Sequence, residues 1–213
     1  LAQWALDRGQ GVPFDGPAGS VTEREMLREY AEFLRGLVDL SGGRPLKVVV
    51  DAGNGMGGHT VPAVLGTDAG LAQLPLDIVP LYFELDGTFP NHEANPLEPA
   101  NLVDLQQAVV EHGADIGLAF DGDADRCFVI DERGQPVTPS AVTALVAERE
   151  IAKEVARGAA AADVKVVANL ISSRAVGEVI AENGAQPVRT RVGHSFIKAQ
   201  MAEHDAVFGG EHS

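Results

Sequence analysis

Short β-branched runs alternate along this chain with amphipathic stretches of helical period, and that rhythm constrains the fold more than any other feature. Strands that wait for a helix before the next strand arrives pair in parallel, so the pattern implies βα units and helix-covered sheets. The strand candidates are 46–51, 76–83, 115–120, 127–131, 164–170, 188–192 and 206–208. Helical patterns lie at 22–40, 100–112, 140–155, 173–182 and 195–204. The punctuation agrees: Ser20 and Glu23 have capping-box spacing, Pro139 stands where a first helical residue would, and Gly113 and Gly184 follow helix ends. The Ala-rich patch 158–162 reads as a helix end and turn, because a strand follows at once. The fold class is α/β, as two successive βα-rich domains with mixed, largely parallel sheets.

Residues 1–19, with Gly9, Gly11, Pro13, Gly16, Pro17 and Gly19, show no periodicity and read as a connection from an upstream domain. The loop Gly134 to Pro139 marks the boundary between a first domain, 20–135, and a second, 136–213. The chain opens on Leu1 and stops just after a glycine run, so it is expected to be a segment of a longer polypeptide. Lys plus Arg number 16 against 31 Asp plus Glu, a net charge of −15, which excludes a general binder of nucleic acid or anionic membrane. No apolar run approaches the roughly 20 residues of a membrane span. The single cysteine, Cys127, allows no internal disulfide and, with no signal-peptide pattern at the start, suits a reducing, cytoplasmic setting.

The sharpest motif is Asp121-Gly122-Asp123-Ala124-Asp125-Arg126, on a turn after an apolar run. Three carboxylates at alternate positions repel one another, at a cost of several kcal/mol, unless something neutralises them. A hard divalent cation would do so, and oxygen-only ligands favour Mg²⁺ or Ca²⁺ over Zn²⁺. An EF-hand-like Ca²⁺ module is one alternative, with Glu132 at the twelfth position, but Arg126 stands where that loop needs glycine and the flanks read as strands. A haloacid dehalogenase-like phosphatase using Asp121 as nucleophile is another, although Asp125 replaces its usual Thr or Val and no downstream acidic pair is evident.

Gly53, Gly55 and Gly58 satisfy G-x-G-x-x-G after a strand, but the acidic residue expected about 20 positions on comes late, and a strand-to-helix turn that needs glycine accounts for them better. Phe89-Pro90-Asn91-His92 through Pro96 is a rigid polar loop in which His92 is as readily structural as functional. Val192-Gly193-His194-Ser195-Phe196-Ile197-Lys198 places His194 and Lys198 on one helix face, and Gly209-Gly210-Glu211-His212-Ser213 is a glycine turn carrying polar side chains.

In this order, the three segments around Asp121, His194 and Glu211 resemble those of the α-D-phosphohexomutases, in particular the phosphomannomutase/phosphoglucomutase group, over essentially the whole chain. The Asp51 to Gly58 turn and the Phe-Pro-Asn-His segment are similar to that family's second domain. The resemblance implies an enzyme of four domains, of which this chain spans the second and most of the third. It interconverts hexose 6-phosphate and hexose 1-phosphate through a phosphoserine and a bisphosphorylated sugar. It further implies Mg²⁺ on Asp121, Asp123 and Asp125, Arg126 beside the transferring phosphoryl group, His194 near the general acid/base position, and Glu211 and Ser213 holding sugar hydroxyls. Arg174, Arg189, Arg191 and Lys198 are candidates for the local positive charge that an anionic substrate needs, Arg174 and Lys198 as substrate-binding residues. The implied partners are hexose phosphates and the remaining domains of the same polypeptide. The family's Thr-Ala-Ser-His-Asn-Pro serine loop and its C-terminal Arg-x-Ser-Gly-Thr-Glu-Pro segment are absent, so this segment alone is expected to be inactive. Ile171 stands where some members carry Lys, and His212 after Glu211 leans away from the phosphoglucosamine mutases.

Overall fold

In a computed structural model, residues 16–17 and 19–211 are described. The connection expected over 1–19 falls, but for three positions, outside them, as do His212 and Ser213. The first sheet is built around Leu46–Asp51 (β1), whose Val48, Val49 and Val50 are all buried, as a central parallel strand covered on both faces requires. Its neighbours are Leu76–Leu81 (β2) and Ile116–Phe120 (β3), both parallel to it. Cys127–Ile130 (β4) and Pro136–Val137 (β5) then add in antiparallel fashion, giving the order β2-β1-β3-β4-β5. Leu27–Leu37 (α1) packs against Gly57–Val64 (α2), which covers one face through Val61 on Val48 and Val50. Val103–His112 (α3), entered through a 3₁₀ turn, covers the other face with Leu105 and Val109 against Val49, Ala119 and Ile130.

The second sheet has the order β7-β6-β8 and is wholly parallel, from Lys165–Asn169 (β6), Gln186–Thr190 (β7) and Phe208–Gly210 (β8). Pro139–Ala156 (α4), Arg174–Glu182 (α5) and His194–His204 (α6) pack on it. The core joins Ala147 and Ile151 of α4 to Val176 and Ile180 of α5 over Val166. The architecture is therefore mixed α/β with two sheets, mostly parallel, as the βα rhythm implies.

Pro139 does open a helix, with Thr138 as N-cap accepting from the Ala141 N–H, and Gly113 and Gly184 follow helices at φ 56° and 78°. The capping box at Ser20 and Glu23 is not used. Helix α1 begins only at Leu27 after Met26, because the segment before it has nothing to bury: Val21 is 95% exposed. Strands β7 and β8 lie about two residues from their β-branched runs. Pairing with β6, Lys165 opposite Gln186 and Val166 opposite Phe208, sets their ends, which side-chain preference does not.

Candidate functional site

β3 delivers Asp121 at its C-terminal end, and the chain must turn back at once because β4 pairs with β3 from Cys127 onward. The Asp121 N–H donates to the Arg126 carbonyl (3.3 Å) and the Ala124 N–H to the Asp121 carbonyl (3.1 Å), with Ala124 in the left-handed region at φ 59°. One carboxylate oxygen from each of Asp121, Asp123 and Asp125 then falls within 4.8 Å of the others; Asp121 is buried and its two companions are exposed.

Arg126 lies against this cluster. Its backbone N–H donates to Asp121 Oδ1 (3.1 Å) and its Nε to Oδ2 (2.7 Å), while Nε stands 3.6 Å from Asp125 Oδ1. Burial pushes the Asp121 carboxyl up, but the donors from Arg126 outweigh it and hold its pKa below the ordinary value. Asp125 is raised instead, first by its hydrogen bond with Asp121 and then by the charges of Asp121 and Asp123. Three carboxylates in conflict, with no His or Cys among them, form a donor set suited to a hard divalent cation. Strands flank the loop on both sides, so an EF-hand reading lacks its two helices.

Behind the loop lies the glycine turn. The Met56 N–H donates to the Gly122 carbonyl (2.9 Å), and Gly53 and Asn54 occupy the left-handed region at φ 51° and 60°. Helix α2 opens at Gly57, and a side chain on Gly58 would run into the Phe83 backbone. These glycines serve close backbone packing. Asn54 also accepts from Asn91 Nδ2 (2.8 Å) and donates to the Glu84 carbonyl (2.8 Å), tying the 82–95 loop to the turn.

In the second domain, Glu211 follows β8, and its Oε1 accepts the Gly193 N–H (2.7 Å) and Asn169 Nδ2 (3.2 Å). A carboxylate is thereby held at the N-terminus of α6, where the helix dipole favours it. His194 is the first residue of α6 and Lys198 lies one turn on; both are exposed. Arg174 sits elsewhere, paired with Glu178 (3.2 Å) beside a groove of about 310 Å³ between α5 and β7 that Arg189 also lines. Arg189 donates to the Leu170 carbonyl (3.3 Å), and Arg191 stacks on Phe196 at 3.4 Å. Ser213 lies outside the described residues.

Arg126, just before β4, and Glu211, just after β8, share one cavity of about 190 Å³. Its other walls are Cys127, Phe128 and Val129 of β4, Val137 of β5, and Pro139, Val142 and Thr143 of α4. Asn169, which no motif in the sequence marks, is buried, and its Oδ1 also accepts from the Ser172 N–H (3.1 Å) and hydroxyl (2.8 Å). The available signal was a polar residue closing an apolar strand.

Residues 28–134 match the family model described as phosphoglucomutase/phosphomannomutase, alpha/beta/alpha domain II, and residues 138–213 match that of domain III. The chain is 38% identical to a phosphomannomutase of Escherichia coli over 99% of its own length and 45% of that protein. It is 37% identical to a phosphoglucomutase of Neisseria meningitidis over 92% of its length and 39% of that protein. A crystal structure of a phosphoglucomutase/phosphomannomutase family protein from Burkholderia thailandensis superposes with a TM-score of 0.80 at 31% identity, covering 99% of this chain and 43% of that one. The chain thus spans less than half the length of the relatives it matches.

Proposed function

The chain belongs to the phosphoglucomutase/phosphomannomutase family, and from that premise we propose that it forms the metal-loop and sugar-loop portion of a phosphohexomutase. In this reading residues 20–135 carry the metal loop and 136–213 the sugar loop of an enzyme that moves a phosphoryl group between the 6- and 1-positions of glucose or mannose. The observation that carries it is the oxygen-only cluster of Asp121, Asp123 and Asp125, with its neighbour Arg126 and the distant Glu211 lining one cavity.

Asp121, Asp123 and Asp125 would hold Mg²⁺, which when bound supplies positive charge to the phosphoryl oxygens. Arg126 orients Asp121 through Nε, and its remaining N–H groups serve the equatorial oxygens of the transferring group. Glu211 has Oε1 committed to Gly193 and Asn169, which aims Oε2 at sugar hydroxyls, and Ser213 follows it in the same loop. His194, one residue beyond the N–H that Glu211 holds, takes the proton of the accepting hydroxyl. Lys198 and Arg174 draw the anionic substrate towards an otherwise acidic protein. The serine that carries the phosphoryl group lies in a domain outside this chain, so the chain by itself does not turn over.

A coupled assay on glucose 1-phosphate and mannose 1-phosphate tests this. The full-length protein is expected to use both, Asp123→Asn in it to lose about 10²-fold or more in kcat, and the 213-residue chain to be inactive. Turnover by the chain alone, or an Asp123→Asn enzyme within about tenfold of the parent, would overturn the reading.

A further inference from the structure

The turn at 53–57 and the 82–95 loop back the metal loop without supplying a ligand, and a buried charge pair fastens the second to the first. Asp51, the last residue of β1, is 1% exposed. Its Oδ1 accepts the Gly53 N–H (2.8 Å), and its Oδ2 lies 3.0 Å from His92 Nε2. The other ring nitrogen, Nδ1, lies 2.9 Å from the Glu93 carbonyl oxygen. A carbonyl only accepts, so Nδ1 carries a proton; the contact with Asp51 then needs a second proton, on Nε2 or on the carboxyl. Without it, a nitrogen lone pair would face a buried carboxylate, which is repulsive.

The ionisable groups around His92 come from three elements. Asp51 faces it from β1, Tyr82 meets it edge-on after β2 with ring centroids 5.3 Å apart, and Asp104 of α3 stands behind, accepting the Tyr82 hydroxyl at 2.6 Å. Burial depresses the imidazole, but the Glu93 carbonyl and the Asp51 carboxylate outweigh it, so its pKa lies above the ordinary histidine value. Burial raises Asp51, against the pull of His92. A raised histidine contributes fully below its ordinary pKa, and the contribution is lost as pH rises through the folded value.

The pair restrains strained backbone. Asn54, Tyr82 and Phe89 hold φ of 60°, 55° and 50°, a conformation that costs non-glycine residues about 1–3 kcal/mol each and persists only where the surroundings impose it. From His92 the chain runs to Ala94, whose Cβ would lie 3.2 Å from a Cβ built on Gly53. Phe89 and Ala94 together cover Gly122, 3.5 and 3.8 Å from a Cβ built there. Gly122 separates Asp121 from Asp123 in the chain, so a shift of the 82–95 loop reaches the ligands through one residue.

Resting on the reading that the Asp cluster binds a divalent cation, we infer that Asp51 and His92 form a proton-held latch that positions the metal loop. Closed, it presses the 82–95 loop on Gly122 and keeps the three carboxylates in ligating geometry. Deprotonated, it releases the loop and cation binding weakens.

The test titrates Mn²⁺ alone into the 213-residue chain, with free ion counted by electron paramagnetic resonance from about pH 6.5 to about pH 8.5. The parent is expected to bind more weakly towards the alkaline end, and His92→Ala to weaken binding about tenfold or more at neutral pH while its circular dichroism is retained. His92→Gln keeps a donor that does not titrate; it should bind near the parent's neutral affinity with a flat profile. A His92→Ala affinity closer to the parent's than that, or the parent's alkaline fall persisting in His92→Gln, overturns the latch. Should His92→Ala fail to fold, the profiles of the parent and His92→Gln decide alone. Asp121→Asn separates the two layers: if it binds Mn²⁺ as tightly as the parent, the metal reading falls and the latch with it, whereas loss in Asp121→Asn with none in the His92 variants removes only the latch.

Discussion

Gly55 and Gly122 stand backbone to backbone: a Cβ built on Gly55 would lie 2.6 Å from the Gly122 carbonyl oxygen and 2.9 Å from its Cα. No flexible side chain is available to yield there, so any residue larger than glycine at 55 must displace the loop that carries Asp121, Asp123 and Asp125. The Met56 N–H, bonded to the same carbonyl, marks the approach as a built contact.

Gly55→Ala is therefore expected to cost about 1–3 kcal/mol of stability by overpacking and, by moving Gly122, to weaken divalent-cation binding as well. Gly42→Ala is the control, since nothing lies within 4 Å of its added methyl. Urea denaturation and a Mn²⁺ titration on both variants check this; equal cation affinity in Gly55→Ala and the parent would show that the contact does not set the loop.

Asp115 clips the entry to β3 onto β1. Its Oδ2 accepts the Lys47 N–H (2.8 Å), its own N–H donates to the Lys47 carbonyl (2.8 Å), and Arg44 pairs with Oδ1 (2.7 Å). The bond from Lys47, then Arg44, hold the carboxyl below its ordinary pKa. A lowered carboxyl stabilises the fold above its unfolded pKa and loses that contribution as pH falls through the folded one. Asp115→Asn should lower the urea midpoint at neutral pH, and its gap from the parent should close as the pH falls below the ordinary carboxylate range and the Asp115 carboxyl itself becomes neutral. A gap independent of pH would contradict this.

Arg35 of α1 reaches the end of α2, with Nε donating to the Val64 carbonyl (2.7 Å) and its two terminal nitrogens to Gly66 and Ala72. These include carbonyls that a helix leaves without partners at its C-terminus. Arg35→Leu is expected to destabilise the first domain by about 1–3 kcal/mol through the loss of charge-assisted bonds, while leaving Mn²⁺ affinity unchanged because the contact lies at the opposite end of α2 from the metal loop. Thermal melting with and without Mn²⁺ tests both halves.

Asn169→Ala removes one of the two donors on Glu211 and the acceptor of the buried Ser172 hydroxyl. A stability loss of about 1–3 kcal/mol is expected. On the proposed function, the full-length protein's KM for hexose phosphate should rise with glucose and mannose alike, since Glu211 would be loosened rather than reshaped. Steady-state kinetics showing a defect with one sugar only would point to a different role for Asn169.

Most of the strands and helices, the α/β class and the three alternating carboxylates were readable from the chain itself, whereas the short strand Pro136–Val137 fell inside a stretch that reads as a loop and the helix Gly57–Val64 showed only as the glycine turn before it. The legible features are local: hydrophobic period, turn chemistry and the spacing of Asp121, Asp123 and Asp125 act within a few residues of one another. The sequence also suggested that the Gly53 to Gly58 run is a turn needing glycine, but not what it packs against. Only tertiary structure decided that Gly55 meets Gly122, that Asp51 meets His92, 41 positions further along the chain, and that Glu211 is held by Gly193 and Asn169. It also decided where α1 starts and where β7 and β8 end, overriding a well-spaced capping box and two β-branched runs. The physical reason is common to all of these: burial and strand register choose partners far apart in the chain, and neither is encoded in the residues next door.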